Sequence, residues 1–244
     1  MKKNDFELLF MNEVEEIAKV GQYLWNKGWA ESNGGNISIN ISDKFNDSYK
    51  YFLVTATGSR FRDISDFPED NLVLMRLLSS EEISYQLCWG NQEPTSEFIT
   101  HHLIHEYLEK NKRPEKAVIH THPQNIIAAT HTTLNNESKL NNILWSTHPE
   151  MKLFIPEGVS IAPYRVTGSK ELAMETVKSL NPEKRVVVWE KHGCLAVGKD
   201  ISEAFDLIDM VNKSLEIYML AKNMDDKFEG IDKESISKLG KIDF

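Results

Sequence analysis

The hydrophobic pattern of the chain changes period twice. Val14, Ile17, Val20 and Leu24 recur in steps of three and four, which predicts an amphipathic helix over residues 6–29 that ends near Gly28. Short alternating or β-branched runs follow at residues 36–42, 51–57, 71–78 and 84–90. Asn, Asp, Gly and Pro separate these runs, so we predict several strands in succession and a mainly antiparallel sheet.

Helical and strand patterns alternate in the second half of the chain. Three helices are predicted at residues 94–110, 123–130 and 202–224, the first with Thr95 or Ser96 as its N-cap. A fourth, at residues 168–180, has Ser169 as its cap. Further strands are predicted at residues 116–122, 153–158, 160–164, 185–193 and 194–200. The last segment, residues 225–244, is polar and predicts a mobile flap or a short helix.

Composition narrows the class of protein. The 244 residues are 41% hydrophobic without a linker-like segment, which favours one domain over residues 1–244 with a polar tail from residue 225. The net charge of −9 argues against a nucleic-acid partner and against an anionic membrane surface. Only Cys88 and Cys194 occur, in no metal or disulfide pattern, and no stretch resembles a signal peptide or a membrane span. We therefore expect a cytoplasmic protein.

The segment "AVIHTHPQN" contains the first candidate site. Side chains alternate faces along a strand, so His120 and His122 should point the same way and could share one ion. Taken alone, the pair is as compatible with ordinary hydrogen-bonded histidines. A third candidate, His192, follows the apolar run "VVVWEKHG", where a strand ends and a loop begins. Three imidazoles with one position left open are typical of a catalytic zinc site, whereas an exposed loop histidine is the alternative for His192.

Polar residues near three chain reversals suggest an anion site. The segments "SNGGN" (32–36), "TATGS" (55–59) and "PTS" (94–96) place backbone amides and small polar side chains together, a way to bind phosphate without Lys or Arg. Each could also be an ordinary turn. Glu97, directly after "PTS", is a candidate acid/base or metal ligand, or it could simply favour the helix dipole.

Six separated motifs together resemble one family. "KGWAESNGGNISIN", "FLVTATGSRFRD", "PTSEFITHHLIHE", "AVIHTHPQNIIA", "WSTHPEMKLFIPEGVSIAPY" and "WEKHGCLAVG" are similar to those of the class II aldolase/adducin family, in family order. The resemblance implies an α/β fold, a three-layer α/β/α sandwich with a central mixed, mostly antiparallel sheet. It also implies one Zn²⁺ per subunit, a phosphorylated sugar substrate, and a homotetramer with active sites at subunit interfaces.

The resemblance assigns roles to individual residues. Among family members the motifs are most similar to those that cleave L-rhamnulose 1-phosphate to dihydroxyacetone phosphate and L-lactaldehyde. The implied metal ligands are His120, His122 and His192. Glu97 would exchange the proton on the dihydroxyacetone phosphate carbon, and Glu150 of "WSTHPE" would act as a second acid/base in a neighbouring subunit's site. The implied phosphate contacts are Asn33, Gly35, Asn36, Thr57, Gly58, Thr95 and Ser96.

Other functions remain open at this point. Cleavage of L-fuculose 1-phosphate or 4-epimerisation of ribulose 5-phosphate would use the same zinc and phosphate sites, and Glu150 favours the rhamnulose ester. A non-catalytic adducin-like domain would not require the three histidines and Glu97. A cupin-like metal barrel is disfavoured because Glu97 precedes the histidine pair and the helical content is high. His101 and His105 share a helical face with Glu97 and, four residues apart, could form another metal site, but we expect supporting or packing roles.

Overall fold

The computed structural model describes residues 7–79, 83–180 and 183–240. Its eight described strands form one sheet. They are β1 (Asn36–Asn40), β2 (Lys50–Thr55), β3 (Leu72–Ser79), β4 (Ser84–Trp89), β5 (Ala117–Thr121), β6 (Ser160–Ala162), β7 (Val186–Trp189) and β8 (Gly193–Gly198). Their order is β4-β3-β2-β1-β5-β8-β7-β6, and each neighbouring pair is antiparallel except β6 and β7, which are parallel.

Helices connect and flank the strands. In chain order they are α1 (Met11–Asn26), α2 (Pro68–Asn71), α3 (Phe98–Lys110), α4 (Gln124–Ala129), α5 (Glu137–Thr147), α6 (Pro149–Phe154), α7 (Lys170–Ser179), α8 (Ile201–Met224) and α9 (Lys233–Leu239). The described part of the chain contains no helix that combines the length and the apolar character needed to cross a membrane.

The sheet is covered on both faces, which produces three layers. Alternate residues of a strand point to opposite faces, and in β5 Ile119 packs into a core with α1, α4, α5, α6 and α8. Its neighbour Val118 belongs to a second core with α3 and α7. At the β2–β3 end, Phe52 and Val54 pack under Phe98 at the start of α3. The predicted three-layer α/β/α sandwich with a mixed, mostly antiparallel sheet is thus confirmed.

Within residues 137–158 the structure overturns one predicted strand and adds a helix that was not predicted. The predicted strand at residues 153–158 is wrong: residues 149–154 form α6 and the chain then turns, with Gly158 at φ +72°. A short apolar run does not by itself distinguish a strand from a helix, and Pro149 favours the first position of a helix. Helix α5 was not predicted; the side chain of Asn136 caps it by accepting from the Lys139 amide.

Three helix ends were also predicted. Ser169 caps α7 as expected, because its side chain accepts from the amide of Leu172. Helix α3, however, has Glu97 as its N-cap residue, not Thr95 or Ser96, and no side chain caps it. Helix α1 ends at Asn26 and Gly28 follows with φ +69°, while residue 6 of the predicted helix lies outside the described residues. In the polar tail, α9 fits the short-helix alternative.

Candidate active site

The antiparallel sheet brings the candidate motifs to one end. β1 runs against both β2 and β5, so the start of β1 lies beside the ends of those strands. Asn36 consequently pairs with His120 across the sheet. The "PTSE" segment joins the same end because the amide of Thr95 donates to the carbonyl of Thr55 at 3.0 Å. The β7–β8 turn, which carries His192, lies next to the end of β5.

These motifs line one cleft. It contains three candidate metal ligands, one candidate acid/base and all seven candidate phosphate contacts from the sequence: His120, His122, His192, Glu97, Asn33, Gly35, Asn36, Thr57, Gly58, Thr95 and Ser96. Four further lining residues were not among the candidates, namely Gly34, Ala56, Ser59 and Thr167. The described lining includes no Lys or Arg, so phosphate binding here would depend on backbone amides and hydroxyls.

Two glycines of the cleft occupy backbone conformations that side chains disfavour. Gly35 has φ +81°, and a Cβ there would lie 2.9 Å from the carbonyl oxygen of His120. Gly58 has φ +72°, with open space where its Cβ would be. Left-handed backbone at such turns exposes successive amides on one side, which is the geometry that binds anions.

The three histidines present their ring nitrogens to a common point. One ligand atom from each of His120, His122 and His192 lies within 4.8 Å of the others. The Nε2 atoms of His120 and His122 are only 3.1 Å apart. Burial lowers the pKa of His192 to about 4 and that of His120 well below its usual value, so these rings are neutral at pH 7. Neutral imidazole is the form that binds a metal ion.

Hydrogen bonds on the far side of two rings support a metal fit. His120 Nδ1–H donates to the carbonyl of Cys194 at 2.9 Å, and His122 Nδ1–H donates to Glu31 Oε1 at 2.7 Å. Both Nε2 atoms therefore carry lone pairs that face each other, an arrangement that a shared cation stabilises. The buried Nδ1 of His192 has no hydrogen-bond partner within the described chain. The donor set and its tautomers thus fit a Zn²⁺-type ion with three imidazole ligands.

Glu31 is a site residue that the sequence analysis missed. It lies in "WAES", before the glycine turn, and reaches His122 across 91 residues of sequence. A carboxylate that accepts from the outer nitrogen of a metal-ligating histidine orients the ring and raises its basicity. No local spacing signals this pairing, because only the antiparallel sheet brings the two segments together.

Glu97 is a buried residue of the cleft lining and lies beside His120. Its Oε2 is 3.6 Å from His120 Nε2 and accepts a hydrogen bond from Asn36 Nδ2 at 2.7 Å. Its Oε1 is buried, and the nearby backbone amide of Gly168 favours the ionised carboxylate. Burial raises the pKa of the Glu97 carboxyl, while the Asn36 hydrogen bond opposes that shift. A buried carboxylate with a raised pKa suits general acid/base chemistry.

Two buried histidines of α3 support a stability prediction. Burial lowers the pKa of His101 and of His105 from 6.5 to about 3. Below pH 6.5 these histidines therefore bind protons in the unfolded chain but not in the folded protein. Their stabilisation is therefore complete above pH 6.5 and decreases towards pH 3, by up to about 1.4 kcal/mol per pH unit for each group. Urea unfolding of the metal-free protein at pH 7, 6 and 5 measures this loss. A His101→Gln/His105→Gln variant should lose less stability, and an equal loss would contradict the assignment.

Glu150 lies outside this cleft. It occupies the first turn of α6, with a side chain that is 44% exposed and Oε2 at 3.0 Å from His148 Nε2. Glu150 is not among the residues that line the cleft of its own chain. Of the twelve candidate site residues, the structure thus brings eleven together within one chain and leaves Glu150 apart.

Comparison with known proteins agrees with this site. Residues 15–219 match the family "Class II Aldolase and Adducin N-terminal domain". A rhamnulose-1-phosphate aldolase of Bacteroides thetaiotaomicron is 38% identical over 249 residues, which cover 93% of this chain and 92% of the relative. The structure is similar to a sugar-phosphate aldolase from Thermotoga maritima, with TM-score 0.80, 32% identity, and 88% and 97% of the two chains covered.

A more distant structure shares the fold alone. An L-fuculose 1-phosphate aldolase superposes with TM-score 0.66 at 22% identity, over 94% of each chain. The family match and the 38% identical relative each cover more than two thirds of this chain. The chain belongs to the class II aldolase and adducin N-terminal domain family.

Proposed function

We propose that this protein is a metal-dependent class II aldolase that cleaves L-rhamnulose 1-phosphate reversibly to dihydroxyacetone phosphate and L-lactaldehyde. The observation that carries the proposal is the presence of three metal-competent histidines, a buried glutamate and a phosphate-type glycine cradle in one cleft. The 38% identical relative, named as a rhamnulose-1-phosphate aldolase, supports the choice of substrate. A scaffold domain would not need this combination.

We propose Zn²⁺ as the ion, one per chain, held by His120, His122 and His192. Three imidazoles with room for substrate oxygens are typical of a catalytic zinc site. When bound, the ion would act as a Lewis acid for the negative charge that carbon–carbon cleavage leaves on the dihydroxyacetone phosphate half. Cys194 O and Glu31 hold the rings of His120 and His122 in the ligating tautomer.

Glu97 exchanges the proton of the dihydroxyacetone phosphate half in this proposal. The bond between C3 and C4 of the sugar breaks, its electrons remain on C3, and C3 then takes a proton from the Glu97 carboxyl. In the condensation direction Glu97 removes that proton. Asn36 keeps Oε2 in place by donating to it, and the backbone amide of Gly168 lies near the same carboxylate.

The phosphate group would lie against the three small-polar turns. Asn33, Gly35 and Asn36 approach from the first turn. Thr57 and Gly58, with Thr95 and Ser96, approach from the other two. Hydroxyls and left-handed glycine amides supply hydrogen-bond donors there without a positively charged side chain.

We propose a homotetramer in which Glu150 of one subunit completes the cleft of the next. There it accepts the proton of the C4 hydroxyl, which becomes the carbonyl of lactaldehyde. Two features support this placement: Glu150 is half-exposed and outside its own cleft, and apolar side chains such as Phe154, Tyr164 and Val166 are exposed at 49%, 55% and 69%. Contact between subunits would cover such side chains.

Both cysteines are unpaired, which supports a reducing compartment, the cytoplasm.

A coupled assay of dihydroxyacetone phosphate release tests the function. Metal-loaded wild type should cleave L-rhamnulose 1-phosphate faster than L-fuculose 1-phosphate and lose activity to a chelator. Glu150→Ala should lower kcat about 10²- to 10⁴-fold, the contribution of one acid/base group. The control Glu171→Ala removes an exposed first-turn carboxylate of α7 and should leave kcat unchanged. Absence of cleavage of both esters by zinc-loaded protein would contradict the aldolase assignment, and 4-epimerisation of ribulose 5-phosphate would then be assayed.

Mixing of subunits tests whether each site is shared. Glu97→Gln and Glu150→Ala, each nearly inactive alone, are co-refolded in equal amounts. If one subunit supplies Glu97 and its neighbour supplies Glu150, random assembly restores about a quarter of the sites and of the activity. No recovery, with mixed oligomers present by mass spectrometry, would show that one chain supplies both carboxylates.

A further inference from the structure

A continuous chain of buried hydrogen bonds leads from Glu97 into the core beneath the cleft. Glu97 Oε2 contacts Asn36 Nδ2 at 2.7 Å, and Asn36 Oδ1 contacts His101 Nε2 at 2.5 Å. His101 Nδ1 contacts Ser38 Oγ at 2.7 Å, and Ser38 Oγ contacts His105 Nε2 at 2.8 Å. The chain thus joins β1, which holds Asn36 and Ser38, to two successive turns of α3.

The chemistry of each group determines the direction of every bond in this chain. The Glu97 carboxylate accepts, so Asn36 donates through its amide nitrogen and its carbonyl oxygen must accept from His101 Nε2–H. Neutral His101 then accepts at Nδ1 from the Ser38 hydroxyl. Ser38 Oγ in turn accepts from His105 Nε2–H. Every donor points towards Glu97, and aligned donors of this kind polarise one another.

Burial keeps the chain dry and uncharged beyond Glu97. His101 and Ser38 are 0% exposed, and His105 is 3% exposed. The pKa values of both histidines, about 3, leave them neutral at pH 7. Without water to replace a lost partner, removal of one member leaves another buried polar group unsatisfied. The orientation of the Asn36 amide therefore depends on groups that have no contact with the cleft.

We propose that His101, Ser38 and His105 are positioning residues, which act through Asn36 to hold the Glu97 carboxylate in the orientation that proton transfer requires. This inference rests on the proposed aldolase function, because it assigns Glu97 the acid/base role. This series of hydrogen bonds ends at the proposed acid/base, Glu97, which distinguishes it from a merely structural network. Apolar side chains could fill the same space between β1 and α3, but they would leave the Asn36 amide free to rotate.

Kinetic comparison of matched variants tests the proposal. His101→Leu and Ser38→Ala each break the series of hydrogen bonds that leads to Glu97. Both should lower kcat about tenfold to a hundredfold, with little change in KM. Exchange of a carbon-bound dihydroxyacetone phosphate proton into D2O, a half-reaction that needs Glu97 but not Glu150, should slow by the same factor. His101→Gln, which retains an N–H donor towards Asn36, should recover most of both rates. Zinc content should stay at one per chain.

His102 provides the matched control. It is equally buried on the same helix, but it packs against Phe98, with ring centroids 6.1 Å apart, and faces Glu106. His102→Leu removes a buried imidazole that is not part of the hydrogen-bond series leading to Glu97. Its kcat should therefore remain within about twofold of wild type. Equal losses in His101→Leu and His102→Leu would overturn the positioning role.

A spectroscopic measurement tests the direction of these hydrogen bonds in the absence of substrate. Imidazole ¹⁵N shifts of the zinc-loaded protein should show both His101 and His105 as neutral Nε2–H tautomers, and Ser38→Ala should perturb both. Nδ1–H tautomers, or wild-type exchange rates in folded His101→Leu and Ser38→Ala, would overturn the inference. Wild-type protein that cleaves neither ester would instead overturn the proposed function, and the inference with it.

Discussion

Glu97→Gln should lower kcat for cleavage of L-rhamnulose 1-phosphate about a thousandfold, within the 10²- to 10⁴-fold range of general acid/base groups. The amide has nearly the shape of the carboxyl and can still contact Asn36, but it cannot give a proton to C3 or remove one. Dihydroxyacetone phosphate should also stop exchanging its proton with D2O. The coupled assay and an NMR exchange experiment measure the two effects.

Glu93→Gln is the matched control for this prediction. Glu93 precedes Glu97 by four residues, its carboxylate accepts from Tyr85 at 3.0 Å, and it does not line the cleft. Its substitution should leave both rates within about twofold of wild type. Residual exchange above a tenth of the wild-type rate in Glu97→Gln would assign the proton transfer to another group.

His192→Ala should abolish both metal retention and turnover. It removes one of three imidazole ligands, and with the ion the variant would lose several kcal/mol of Lewis-acid stabilisation, which corresponds to at least about a thousandfold in kcat. The side chain lies in the turn between β7 and β8 rather than in the core, so the fold should persist. Metal analysis of dialysed protein, the coupled assay and far-UV circular dichroism measure these outcomes.

Two other variants calibrate this result. Glu31→Gln retains all three ligands but removes the charge that accepts from His122 Nδ1–H, so zinc affinity should fall only about tenfold to a hundredfold. His131→Ala removes an exposed histidine outside the cleft and should change neither zinc content nor kcat. If dialysed His192→Ala kept one zinc per chain and normal turnover, the three-histidine site would be refuted.

The composition of the candidate site was predictable because much of its chemistry is local in sequence. Two histidines at i and i+2 of a strand share a face whatever the rest of the fold is, so His120 and His122 were identified as a pair. The glycine turns and the "PTSE" segment are short and lie where strands or helices begin and end. Periodicity likewise predicted the succession of strands that forms most of the sheet, because alternate burial on a pleated strand leaves a two-residue pattern.

Interactions between distant segments required the tertiary structure. Glu31 meets His122 across 91 residues, and Ser38 meets His101 and His105 across 63 and 67. No periodic pattern in the sequence predicts these contacts. They depend on the register of β1 against β5 and on how α3 crosses the sheet. The wrong strand at residues 153–158 has a similar cause: whether a short apolar run becomes strand or helix is decided by the surface it packs against.

The sequence by itself thus determined which side chains could perform the chemistry and the order of most strands along the chain. Only the tertiary structure decided which ring nitrogens face one another, which carboxylate is buried and which side chains orient it. Side-chain type and local periodicity are properties of neighbouring residues. Distances, tautomers and burial, in contrast, arise when remote segments exclude water together.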